Sequence, residues 1–224
     1  MQPTEILARE RTADGEELTL TRRDGVYALN LAGGELMSSR AHGSENALAR
    51  LACSALRPSE RPRVLVGGLG FGYTLRAALD ILPAGAEIVV CELFELVLQA
   101  NRGAIGDLAG RPLADRRVSV RMGDVGKALG GERFNAILLD VDNGPEAFTV
   151  AGNSGLYSAS GSARLAASLA AEGVLAVWSN APESANAAFA RRLESAGLSA
   201  RVERVRAREG GRGARHAVIV GRRR

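Results

Sequence analysis

Glu92, Asp124, Asp140 and Asp142 each stand at or just past the end of an extended run, in "EIVVCE", "VSVRMGD" and "FNAILLDVD". A carboxylate directly after a strand can accept both hydroxyls of a ribose, and Glu92 is placed for that role. Asp124 in "RMGDVGKAL" can accept a hydrogen bond from an exocyclic amine such as adenine's, and can equally cap the short helix after it. Asp140 and Asp142 fall on one side of an extended chain, because strand side chains alternate. There a carboxylate can attract an ammonium group and take its proton, freeing the nitrogen lone pair for attack on carbon. For Asp142, ordering the turn before Gly144-Pro145 is an equal alternative.

The stretch "VLVGGLGFGYTLRAAL" sets Gly67, Gly68, Gly70 and Gly72 between a short apolar run and a helical pattern. Glycines there let a ligand approach the backbone, and the next helix offers its N-terminus. A phosphate-binding P-loop would need a lysine after the glycines, and none follows. A dinucleotide fingerprint would need a third glycine at Tyr73 or Leu75, depending on where the count begins, so a nicotinamide dehydrogenase is disfavoured. Glycine turn, ribose acid and adenine-side acid together describe a pocket for an adenosine without a pyrophosphate. S-adenosylmethionine or its decarboxylated form fits that description.

Elements that would position these residues follow from periodicity. Residues 18–31, "LTLTRRDGVYALNL", alternate around Asp24-Gly25 and predict a β-hairpin. The segment "GSENALARLACSALRP" predicts an amphipathic helix capped by Ser44 and stopped before Pro58. From residue 63 onward, strands are predicted over 64–66, 87–91, 118–121, 134–140, 174–178, 199–205 and 214–221. Helices are predicted over 72–82, 93–102, around 127–129, 162–171 and 182–196. The alternation implies an α/β fold with a mostly parallel sheet, closed by an antiparallel final pair. Residues 1–60 form a small N-terminal β element plus helix, and 61–224 a nucleoside-binding domain.

Composition narrows the function classes. With 46% hydrophobic and 24% charged residues in 224, the chain reads as an ordinary globular protein. No apolar run approaches the ~20 residues of a membrane span, and "MQPTEILARE" lacks a signal-peptide layout, so a cytoplasmic location without membrane association is expected. Cys53 and Cys91 read as a reduced, buried pair, and with only His42 and His216 available no metal is expected. The net charge of +4 gathers in "ARVERVRAREGGRGARHAVIVGRRR". No aromatic residues interleave with those arginines to stack bases, so nucleic acid is not the expected partner.

These motifs resemble the spermidine/spermine synthase (polyamine synthase) family. The likeness rests on "VLVGGLGFGYTLRAAL", "VVCELFELVLQANRG", "GDV" and "FNAILLDVDNGP", and runs from the hairpin to about Trp178. It implies a Rossmann-like class I methyltransferase fold with a seven-stranded sheet and a small N-terminal β-hairpin element; a homodimer is the candidate assembly. It also implies that Glu92 binds ribose, Asp124 adenine, and that Asp140 is the base for the attacking amine. The chain departs from the family pattern at Arg76-Ala77, where an Arg-Glu pair is usual, and in its short "DVDNGP" loop. The family's Asp-Glu and Tyr-His-Glu blocks are missing from "ELMSSRAHGSENALARL". His42, Glu45, Asn143 and Tyr157 are the candidates for an acceptor site of different specificity. The expected activity is transfer of an alkyl group, aminopropyl or methyl, from a sulfonium nucleoside to a small amine other than putrescine. The alternatives are an S-adenosylmethionine-dependent methyltransferase and a nucleoside-binding module without turnover.

Overall fold

The computed structural model of the chain describes residues 3–56, 61–141, 144–145, 154–208, 210 and 212–224. Strands β1 (Glu5–Arg11), β2 (Glu17–Arg23), β3 (Val26–Leu31) and β4 (Gly34–Ser38) form an antiparallel sheet in sequential order. The predicted hairpin is β2–β3. Arg23 pairs with Val26, leaving Asp24 and Gly25 as a two-residue turn with φ of 49° and 77°. Positive φ at both positions gives the turn whose twist matches the strands it joins. Leu18, Leu20, Leu29 and Leu31 share the buried face. The sequence reading missed β1 and β4, which extend the hairpin on both sides.

Helix α1 (Gly43–Cys53) follows and packs on the large sheet and its first helix through Ala47, Leu48 and Ala52. His42, rather than Ser44, occupies the N-cap and makes no side-chain capping bond. The helix therefore starts two residues earlier than a Ser44 cap requires, and the Ser44 hydroxyl is available for other bonds.

The rest of the chain alternates: β5 (Arg63–Gly67), α2 (Tyr73–Ile81), β6 (Glu87–Glu92), α3 (Glu95–Arg102), β7 (Val118–Met122), α4 (Val125–Ala128) and β8 (Phe134–Leu139). Then come α5 (Ser154–Tyr157), α6 (Ala159–Ala167), β9 (Leu169–Ser179), α7 (Glu183–Ser195), β10 (Leu198–Arg208) and β11 (Arg212–Arg223). The seven strands lie in the order β7-β6-β5-β8-β9-β11-β10. Strands β5 to β9 run parallel, and β11 is antiparallel to both its neighbours. This is the class I methyltransferase-like arrangement. Strand β8 reads "FNAILL", and its apolar residues are at most 1% exposed, as a central strand covered on both faces must be.

Helix ends differ from the sequence reading by one to four residues, most at the end of α6. Alanine-rich residues up to 171 favour helix by propensity, yet α6 ends at Ala167. The Phe134 N–H donates to the Ser168 carbonyl at 2.8 Å, and Leu169 pairs with Phe134 as a fully buried strand residue. Pairing with β8 overrides local propensity. An irregularity follows, with Glu172 at φ 58°, before the register resumes at Val174.

Candidate active site

In the sheet, strand order reverses between β5 and β8, and open α/β sheets bind ligands where such a reversal splays the strand ends. Backbone bonds draw those ends together. Gly68 N–H donates to the Cys91 carbonyl at 2.9 Å, Asp140 N–H to Gly67 at 2.9 Å, and Gly123 N–H to Glu92 at 2.8 Å. A cavity of about 490 Å³ opens there, walled in part by Gly68, Gly70, Glu92, Asp124, Asp140 and Glu45.

The glycine turn is required by what packs against it. Gly68 has φ +84°, and a Cβ there would collide with the Asp140 carbonyl. A Cβ on Gly70, at φ +51°, would stand 2.7 Å from the sulfur of Met37 on β4. Gly67 is closed in by Leu139 and Val125, and Gly72 caps α2 in the left-handed region. Gly68→Ala should therefore lower stability by about 2–4 kcal/mol, left-handed strain plus a backbone clash. Thermal unfolding measures it, and an unchanged midpoint would contradict this packing.

Glu92 is 5% exposed. Its carboxylate accepts from the Leu69 N–H at 2.8 Å and the Phe94 N–H at 2.9 Å. Burial raises its pKa, and the backbone donors oppose the rise. Those bonds hold the carboxylate at the cavity wall. Asp124 caps α4 by accepting from the Gly126 N–H at 2.7 Å, and it also lines the cavity. The cap is one of the two roles read for it from sequence, and a place in the cavity wall is what the other requires.

On the β8 side, the Thr74 hydroxyl donates to Asp140 Oδ2 at 2.8 Å. Asp140 is reached from the cavity but enclosed by protein, and its pKa is pushed up to about 7. Burial is the main cause, the negative charge of Glu45 adds to it, and the Thr74 bond opposes it. Burial also raises the Glu45 pKa. An acid poised near neutrality suits proton transfer at physiological pH.

The structure does not bring every candidate to this cavity. Tyr157, expected at an acceptor site, is instead 3% exposed in the second core, edge-on to Phe189 at 5.3 Å between ring centroids. It closes α5 and is buried in that core. His42 stacks on Tyr73 at 4.4 Å, beside the wall and not part of it. Asp142 and Asn143 lie outside the described residues. The sequence reading missed Thr74, Met37, Trp178, Asn180 and His216. The four last line the cavity. Thr74 was findable as the residue one turn into the glycine-led helix. His216 carried no local signal. Among the described residues no group of His, Cys, Asp and Glu is arranged to hold a metal ion, and no helix is long and apolar enough to cross a membrane.

No family model matches the chain, and no curated protein matches it by sequence. Its fold does match solved structures. Spermidine synthase from Thermotoga maritima superposes with a TM-score of 0.76 at 16% identity, covering 98% of this chain and 73% of that one. A spermidine synthase in complex with the transition-state analogue AdoDATO gives 0.74 at 17% identity, covering 98% and 72%. A probable spermidine synthase from Corynebacterium glutamicum gives 0.67 at 15% identity, covering 99% and 81%. Strand order, the added antiparallel sheet and these superpositions agree that the chain has a spermidine-synthase-like fold.

Proposed function

We propose that the chain is a transferase that moves an alkyl group, aminopropyl or methyl, from a sulfonium nucleoside to a small amine other than putrescine, in the cytoplasm. The observation that carries this reading is one cavity with both parts in sheet order. Glu92 and Asp124 follow β6 and β7, whereas Asp140 follows β8. Ribose on Glu92 and adenine beside Asp124 would aim the sulfonium carbon across the glycine turn toward Asp140. An acceptor ammonium gives its proton to the Asp140 carboxylate. The freed nitrogen then forms its bond to carbon as the carbon–sulfur bond breaks, with that electron pair leaving on sulfur as a neutral thioether. Orientation in line contributes most of the rate, with Asp140 adding acid–base help.

Calorimetry with S-adenosylmethionine, its decarboxylated form, methylthioadenosine and NAD tests the reading and chooses the transferred group. The sulfonium nucleosides should bind and NAD should not; binding of NAD alone would overturn it. Glu92→Ala removes the ribose acceptor and should weaken the bound nucleoside by about 1.5–3 kcal/mol, the range for hydrogen bonds to a charged group. Unaltered affinity in a folded Glu92→Ala protein would remove Glu92 from the site.

A further inference from the structure

Ser44, His216 and Glu45 make a bonded set outside the mechanism above. Ser44 is 1% exposed, and its hydroxyl donates to Glu45 Oε2 at 2.6 Å. Its oxygen lies 3.0 Å from His216 Nδ1. A serine has one hydroxyl proton, so with that proton on the Glu45 bond the imidazole must donate from Nδ1. The ring of His216 is in turn set edge-on against Trp178, centroids 4.8 Å apart. A fixed indole thus fixes an imidazole, which fixes a hydroxyl, which fixes a carboxylate. Glu45 and His216 both line the cavity, and the Glu45 charge acts on Asp140.

Two carboxylates lining one cavity, both with raised proton affinity from burial, call for a cation between them. Among the described wall residues there is no lysine or arginine to supply it. Glu92 and Asp124 are assigned to the nucleoside. Glu35, the remaining wall acid, is exposed on β4, where water competes for any partner. The other wall residues on this side are Leu36, Met37, Ser38, Ala41, Trp178 and Asn180, none of them charged.

We propose that Ser44 and His216 are positioning residues that hold Glu45 in the cavity wall with Asp140 as a clamp for one ammonium group, and that the rest of the acceptor is uncharged. This rests on the transferase reading and names its acceptor class, a primary monoamine.

The test is calorimetric titration of butylamine, phenethylamine and putrescine into the whole protein, with and without saturating methylthioadenosine. The monoamines should bind at least tenfold more tightly than putrescine. Glu45→Gln, which keeps shape and removes charge, and Ser44→Ala should each loosen the monoamines about tenfold while methylthioadenosine affinity stays within twofold. Imidazole nitrogen shifts should show His216 protonated at Nδ1, and Glu45→Gln should move them, a signature that mere packing would not produce. Tighter binding of putrescine, or amine affinity unchanged in both variants, would overturn the clamp. Because the amines are also titrated alone, a protein that binds no nucleoside still decides the clamp, and only the transferase reading then falls.

Discussion

Asp140→Asn is expected to keep the nucleoside and lose the chemistry. Asparagine preserves the side-chain shape and an oxygen for the Thr74 hydroxyl, so calorimetric donor affinity should stay within about twofold. Turnover should fall by about 10²–10⁴-fold, the usual contribution of a positioned general base. In the unaltered protein, kcat/KM should rise with pH through about 7 as Asp140 ionises, and this limb should vanish in the variant. Stability should move the other way. The folded-state pKa lies above the ordinary 3.8, so the folded form holds the proton more tightly than the unfolded chain. Unaltered protein therefore loses stability as pH rises from about 4 to about 7, and the asparagine variant does not. Above pH 7 the variant should be the more stable by about 1–3 kcal/mol, after allowing for cavity water that screens part of the charge. A fully active Asp140→Asn protein would make this carboxylate structural.

Putrescine with decarboxylated donor should give little or no product. A diamine is dicationic at neutral pH, so a pocket enclosing it needs an acid at both ends. Glu45 and Asp140 line one cavity, and in the clamp proposed above they serve the same amine. The segment "ELMSSRAHGSENALARL" supplies just one further acid, Glu35, and it is exposed. Burying the second ammonium without a charge-assisted partner costs several kcal/mol, roughly 10²-fold or more in kcat/KM against a monoamine of equal length. Mass spectrometry of the alkylated products from a panel of mono- and diamines reads this directly. Rapid spermidine formation at micromolar putrescine would overturn it.

The proposed nucleoside side of the cavity was readable because its parts are local in sequence. Glu92 and Asp140 terminate apolar runs, Asp124 follows the β7 run within two residues, and the glycines sit between a strand and a helix, where period changes from 2 to 3.6. The acceptor side was not readable in that way. His216 is one polar residue in the final strand, and nothing near it in sequence announces Ser44. Strand β1, "EILARER", escaped because an edge strand with charges on both faces shows no clean alternation. The end of α6 escaped because the pairing of Leu169 with Phe134 is a tertiary contact that propensity cannot see.

The Ser44–His216 bond spans 172 residues of chain. Contacts of such separation close late, since the loop entropy must be met before they stabilise anything. Glycine turn, Glu92, Asp124 and Asp140 all lie within residues 67–140, so they can assemble while the C-terminal hairpin is still unpaired. During refolding, nucleoside binding should return before amine binding. The interval between the two is set by the docking of β11 onto β9.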